Sequence, residues 1–295
     1  MNASEVIVFD GVSPEIYQKI VEKAVRYAMI SLPFTFNRMV INEPERRIQN
    51  IAKGKIAELL FRYYCHLHHI PADFEQCTTP FWSIDQRDFI LQSKEWDIKN
   101  NFFHPKPGME LPECFTDFPA LIPNHHAKDQ WTKRNTTCFN SSEGVGYVFT
   151  FMPLTKAGNS TGNAFFEIIL SDKTKSFINN LCRAYAGNKP TQQPFDEAWF
   201  WEKAGISKVQ SIAVLNDLPS LYITGYATSD QFYLFKDTGK DHVRSEYINL
   251  HNRHWYVKDR NKLNFMNGML FTTITNATCP IGLLPSFAGL AGMRY

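Results

Sequence analysis

No stretch of this 295-residue chain approaches the run of about 18 apolar residues that a membrane-spanning helix needs. Its start, Met1-Asn2-Ala3-Ser4-Glu5, has no basic segment leading into an apolar one. A membrane anchor and a secretory leader are therefore not expected, and the expected location is the cytoplasm. Cysteine is sparse. The six cysteines, at 65, 77, 114, 138, 182 and 279, include no Cys-x-x-Cys pair, which argues against a zinc ribbon and against a disulfide framework in a chain this long. Buried, reduced thiols are the expectation. A dominant charge is missing too: the net value is +2, so any surface for a phosphate-bearing partner must be local. There is no internal repeat and no low-complexity tract. Pro, Asn and Gly cluster at 104–112 and 187–194, where loops or insertions are expected rather than a domain linker.

What is present is apolar surface. Hydrophobic residues make up 44% of the chain, enough for one large core or two modest ones. Ile16, Ile20, Val21, Ala24 and Ala28 recur at helical spacing between Pro14 and Ile30, with Ser13 as N-cap. A second helix is expected from about Glu43 to His69, striped by Ile48, Ile51, Ala52, Leu59, Leu60, Tyr63 and Leu67 and stopped by Pro71, with Glu58 beside the stripe. Asp88–Gln92 and Glu95–Lys99 have strand character and are separated by the polar pair Ser93-Lys94, which predicts a hairpin. Further strands are expected at 146–152, 164–170 and 221–226. The pattern predicts an α/β fold in which a central mixed sheet is flanked by helices. A single domain is expected over 1–295: an N-terminal helical part (1–45), a core (46–152), and a remainder (153–295) that completes the sheet and carries insertions.

The hairpin concentrates the chemistry. Side chains alternate along a strand, so Asp97 and Lys99 emerge on one face while Ile98 points into the opposite layer. Asp88 begins the neighbouring strand, and a tight turn brings its carboxylate to the same end of the sheet. Two carboxylates from adjacent strands suffice to hold magnesium, which prefers oxygen ligands and completes its shell with water and phosphate. An ammonium beside them can orient an attacking water or stabilise developing negative charge. Asp97-Ile98-Lys99 is the one acid-x-Lys triplet in the chain, but such a triplet is common by chance. Its weight comes from Asp88 upstream and from Glu58 on the preceding helix.

Through Gly54-Lys55-Ile56-Ala57-Glu58, Asp88-Phe89-Ile90-Leu91 and Trp96-Asp97-Ile98-Lys99, the sequence resembles the PD-(D/E)XK nuclease superfamily, and more narrowly its type II restriction endonucleases. The match covers roughly residues 46–152. It implies that Asp88 and Asp97 bind Mg2+ and that Lys99 activates water, with Glu58 assisting. Arg87 stands where the proline that names the motif would be, and Asp97 where glutamate is commoner. Ile122-Pro123, Lys128 and Gln130-Trp131 look like the family's following helix. Ile223 to Thr228, with Trp255-Tyr256-Val257 and Leu263, resembles a tail of such nucleases. The resemblance implies site-specific cleavage of double-stranded DNA leaving 5′-phosphates, by a homodimer whose two-fold symmetry matches a palindromic site.

Other readings stand beside this one. The chain could be a repair, recombination or phage-defence nuclease of the same superfamily, or a catalytically silent DNA-binding protein. Asp88, Asp97 and Lys99 could form an exposed ion pair on a surface hairpin, worth ~0–1 kcal/mol. Asp85 and Glu95 are spare carboxylates, and Glu95 shares a face with Asp97. Lys128, Gln130, Lys133 and Arg134, clustered with His125, His126 and Trp131, suit contacts to phosphate and sugar, although a solvated helix face has the same composition. A second basic tract runs from Lys236 to Lys262, diluted by Asp237, Asp241, Glu246 and Asp259. His66, His68, His69 and Cys77 match no zinc spacing. Aromatic residues, 14% of the chain, are expected to fill the core and a subunit interface.

Overall fold

A computed structural model describes residues 1–35, 43–83, 87–103, 105, 111, 113–125, 145–154, 165–185, 190–237, 256–259, 262–265, 268–271 and 275–293. The helices are α1 (Pro14–Thr35), α2 (Pro44–Leu67), α3 (Asp172–Tyr185), α4 (Glu197–Ala204) and α5 (Phe287–Leu290). The strands are β1 (Ile7–Phe9), β2 (Phe89–Leu91), β3 (Lys94–Phe103), β4 (Pro119–His125), β5 (Gly146–Pro153), β6 (Phe166–Ile168), β7 (Ala213–Leu215), β8 (Leu221–Ala227), β9 (Lys236–Asp237), β10 (Tyr256–Asp259), β11 (Lys262–Phe265), β12 (Gly268–Phe271) and β13 (Thr275–Pro280).

The first helix starts as its sequence dictates: Pro14 takes the opening position and Ser13 Oγ accepts from the Ile16 amide at 3.4 Å. It continues past the expected end at Ile30 to Thr35, with Ser31, Leu32, Pro33 and Phe34 all buried, and the disruption by Pro33 is confined to its last turn. α2 ends in a Schellman motif. The Ile70 amide bonds the Cys65 carbonyl at 2.9 Å and the His69 amide bonds the His66 carbonyl at 3.3 Å, with His69 left-handed at φ 53°. The histidine cluster therefore terminates a helix. Among the described residues, no group of three or more His, Cys, Asp or Glu is placed to hold a metal ion.

The expected hairpin is present, shifted by one residue at its turn. Gln92 and Ser93, both at positive φ (53° and 58°), connect β2 to β3, and Leu91 faces Lys94. Two consecutive left-handed residues make the type I′ geometry that matches strand twist. The main sheet has the order β1-β8-β5-β3-β12-β11-β10, with β2 also pairing β3. Strands β3 and β5 are parallel, from Trp96↔Gly146 to Phe103↔Pro153, and the other pairings are antiparallel, so the sheet is mixed as expected. Residues 119–125 differ from the expectation: Ile122-Pro123 lie not in a helix but in β4, which pairs with β13 in a second sheet of order β4-β13-β9.

Two cores lie on opposite faces of the main sheet. On one face, Trp96, Val148, Met152 and Ile223 pack with Val21, Ala24 and Ala28 of α1 and with Ala52, Ile56 and Leu60 of α2; α3, α4 and α5 join them. On the other face, Phe103, Tyr147, Phe149, Phe151 and Tyr222 pack with Phe115, Phe118 and the β4 residues Ala120 to Ile122. The aromatic richness is spent largely here, as in the edge-to-face pair Phe103–Phe118 at 5.0 Å. Cys65, Cys77, Cys114, Cys182 and Cys279 are all buried thiols. No described helix is long and apolar enough to cross a membrane.

Candidate active site

Even-numbered residues of β3 face the helices, since Trp96 is in the helix-side core and Ile98 and Phe102 pack against it. Odd-numbered residues therefore face the other way, and Asp97 and Lys99 share that face as alternation requires. Asp97 is 8% exposed, and Lys99 Nζ lies 2.5 Å from its Oδ2. This is not a loose surface pair. The side chains of Asp97 and Lys99 are 12% and 13% exposed, well outside the solvated regime in which an ion pair contributes almost nothing.

Asp88 precedes β2 by one residue and grips β3 on both sides of Asp97. Its amide donates to the Trp96 carbonyl at 2.7 Å, and its Oδ2 accepts from the Ile98 amide at 2.5 Å. The carboxylate thus replaces a main-chain acceptor where the antiparallel ladder stops. A strand residue's amide and carbonyl point to the same side, so the Ile98 carbonyl also faces this edge. Burial first, then Glu95, Asp88 and Asp73, push the Cys77 thiol above its ordinary value, against the opposing pull of Arg87.

The remaining carboxylates are placed differently. Glu95 is ion-paired with Arg87. Glu58 lies on α2, over the helix-side face of the sheet, where Lys55 Nζ reaches its two oxygens at 2.5 and 2.7 Å and also sits 4.7 Å from the Tyr27 ring centroid. The Asp88 carboxylate lies on the amide of the residue that follows Asp97, and Glu58 forms no group of three with these two carboxylates. Asp85, Lys128, Gln130, Lys133 and Arg134 lie outside the described residues, as do the side chains of the 236–262 tract.

Three features of the site have no local signature in the sequence. The Ile98 amide holds Asp88. Gly146 pairs with Trp96, and a Cβ there would stand 2.4 Å from the indole. Tyr147, the register partner of Asp97, places its ring 5.5 Å from Lys99 Nζ. Each depends on the parallel pairing of β3 with a strand some fifty positions away, or on the exact end of the hairpin, and neither is written in periodicity.

The donor set suits a hard divalent cation. Two carboxylates and a neighbouring carbonyl supply oxygen only, and magnesium needs just one or two protein carboxylates because water and phosphate complete its shell. Lys99 takes one oxygen of Asp97, and a carboxylate has about four acceptor positions to offer. No family model matches the chain, and no curated protein or solved structure matches it.

Proposed function

We propose that the chain is a metal-dependent endodeoxyribonuclease, and within that class a Mg2+-dependent type II restriction enzyme that cuts double-stranded DNA at a specific site and leaves 5′-phosphates. One observation carries the reading: the Asp88 carboxylate is fixed on the Ile98 amide, next to the ion pair of buried Asp97 with half-buried Lys99. Asp88 and Asp97 would hold magnesium, which when bound supplies a polarised phosphate and a water of lowered pKa. Lys99 would orient that water through its N–H donors or stabilise charge on the phosphate oxygens during in-line attack. Glu58, engaged by Lys55, is the third acidic candidate. The resemblance in 46–152 supplies the restriction type, the 5′-phosphate outcome and the homodimer, and Lys128, Gln130, Lys133 and Arg134 remain the residues proposed to meet DNA.

Incubation with supercoiled plasmid, with and without MgCl2, tests the reading. Discrete linear fragments that appear only with the metal are expected. Intact plasmid at every protein concentration would overturn the catalytic assignment.

A further inference from the structure

We infer that Tyr147 is the positioning residue for Lys99: its ring face and the Asp97 carboxylate together fix the ammonium at the site. The inference rests on the nuclease reading for its catalytic meaning, while the contact itself does not.

Tyr147 sits directly opposite Asp97 in the parallel register, on the same face of the sheet, and is 1% exposed. The side chain facing Lys99 in that register is Phe149, so the ammonium leans back along the strand to reach both Asp97 Oδ2 at 2.5 Å and the Tyr147 ring at 5.5 Å. A lysine has a long flexible stem, and one carboxylate contact leaves much of that freedom. The electron-rich ring face supplies a second anchor for the cation. That anchor persists when the oxygens of Asp97 are engaged by other partners.

The ring is itself immobilised. Across β5 its residue pairs with Ala227 of β8, and its ring lies 5.8 Å from that of Phe232. Phe232 belongs to a short 3-10 turn, Ser229–Leu234, opened by a capping box between Thr228 and Gln231. The turn that follows Thr228 thus bears on the site through two rings inclined at 45° to each other.

The test has a readout that needs no DNA. In protein grown with lysine labelled with 13C at Cε, the Lys99 signal, assigned by its loss in Lys99→Arg, is expected to be displaced upfield by the Tyr147 ring current. It should stay there in Tyr147→Phe and move towards the exposed lysines in Tyr147→Leu or Tyr147→Met. A Lys99 signal that lies among the exposed lysines in the unaltered protein overturns the inference without any variant. In cleavage assays, Tyr147→Leu should lower kcat about tenfold at unchanged KM, with Tyr147→Phe restoring it. Unchanged kcat in a folded Tyr147→Leu protein also overturns it. If the Lys99 signal behaves as expected and the unaltered protein cuts no DNA, the positioning contact stands and the nuclease reading falls.

Discussion

The carboxylate of Asp88 accepts from the Ile98 amide at 2.5 Å, standing in for a backbone carbonyl just before β2 begins, where its ladder with β3 stops. This separates the structural duty of Asp88 from its charge. Asn offers the same acceptor without the charge, so Asp88→Asn should fold with near-unaltered stability and yet fail to cut DNA. Asp88→Ala also removes the acceptor and should cost roughly 1–3 kcal/mol, the penalty for leaving a partly buried amide without its partner. Urea unfolding and plasmid cleavage on the two variants make the comparison. Cleavage at the native rate by Asp88→Asn would exclude Asp88 from the metal site.

Gly146 is set by the neighbouring strand, with no demand from its own backbone. A methyl group at this position would stand 2.4 Å from the Trp96 ring, and the indole is buried against Phe89, with which it stacks at 6.3 Å. Gly146→Ala should therefore destabilise by about 1–3 kcal/mol through overpacking. An unfolding midpoint equal to that of the native protein would show that the indole moves aside freely.

The contrast between Ser13 and Gly146 shows what was legible in advance. Ser13, Pro14 and the 3.6-residue stripe behind them act locally, so the start of α1 and the path of α2 could be read from spacing. The hairpin was legible because its apolar runs flank a two-residue gap. Its turn was placed one residue late, since neither Gln92 nor Ser93 is a residue that favours positive φ, and strand pairing forces both into it. Asp88, Asp97 and Lys99 were legible as a pattern along the chain. Their partners were not: Tyr147 and Gly146 come into place through the β3–β5 register, and the Lys55–Glu58 pair through the packing of α2. β4 has no local signature: the resemblance puts Ile122-Pro123 in a helix, whereas they lie in a strand set by pairing with β13, which follows far along the chain.

Two buried thiols set an alkaline limit on the fold. Burial pushes Cys65 and Cys182 from the ordinary 9.0 up to about 12, the Arg47 guanidinium opposing the shift at Cys182. Above pH 9 the unfolded chain loses these protons while the folded chain keeps them. Their contribution to stability is thus complete below about pH 9 and is lost as pH rises towards 12, at up to ~1.4 kcal/mol per pH unit for each thiol. Urea unfolding at about pH 8 and about pH 10.5 should show the decline, and Cys65→Ala should make it shallower. A Cys65→Ala protein with the same pH slope as the native one would rule out Cys65 as a source.

Whether Asp97 and Lys99 form a structural ion pair or a catalytic one is decided by measuring stability and cleavage on the same variants. At 2.5 Å and little exposure, removing either charge strands the other in a poorly solvated place. Asp97→Asn and Lys99→Met should each destabilise, by up to ~3 kcal/mol, and the double variant should recover part of that loss, because two neutral side chains leave no unpaired charge. Stability alone would behave this way under either reading. Cleavage separates them: a structural pair predicts that the double variant regains activity along with stability, whereas metal binding by Asp97 and charge stabilisation by Lys99 predict that all three variants stay at least 100-fold below the native rate, on the scale of losing one preorganised electrostatic group. A stable double variant that cuts DNA would reduce the pair to scaffolding.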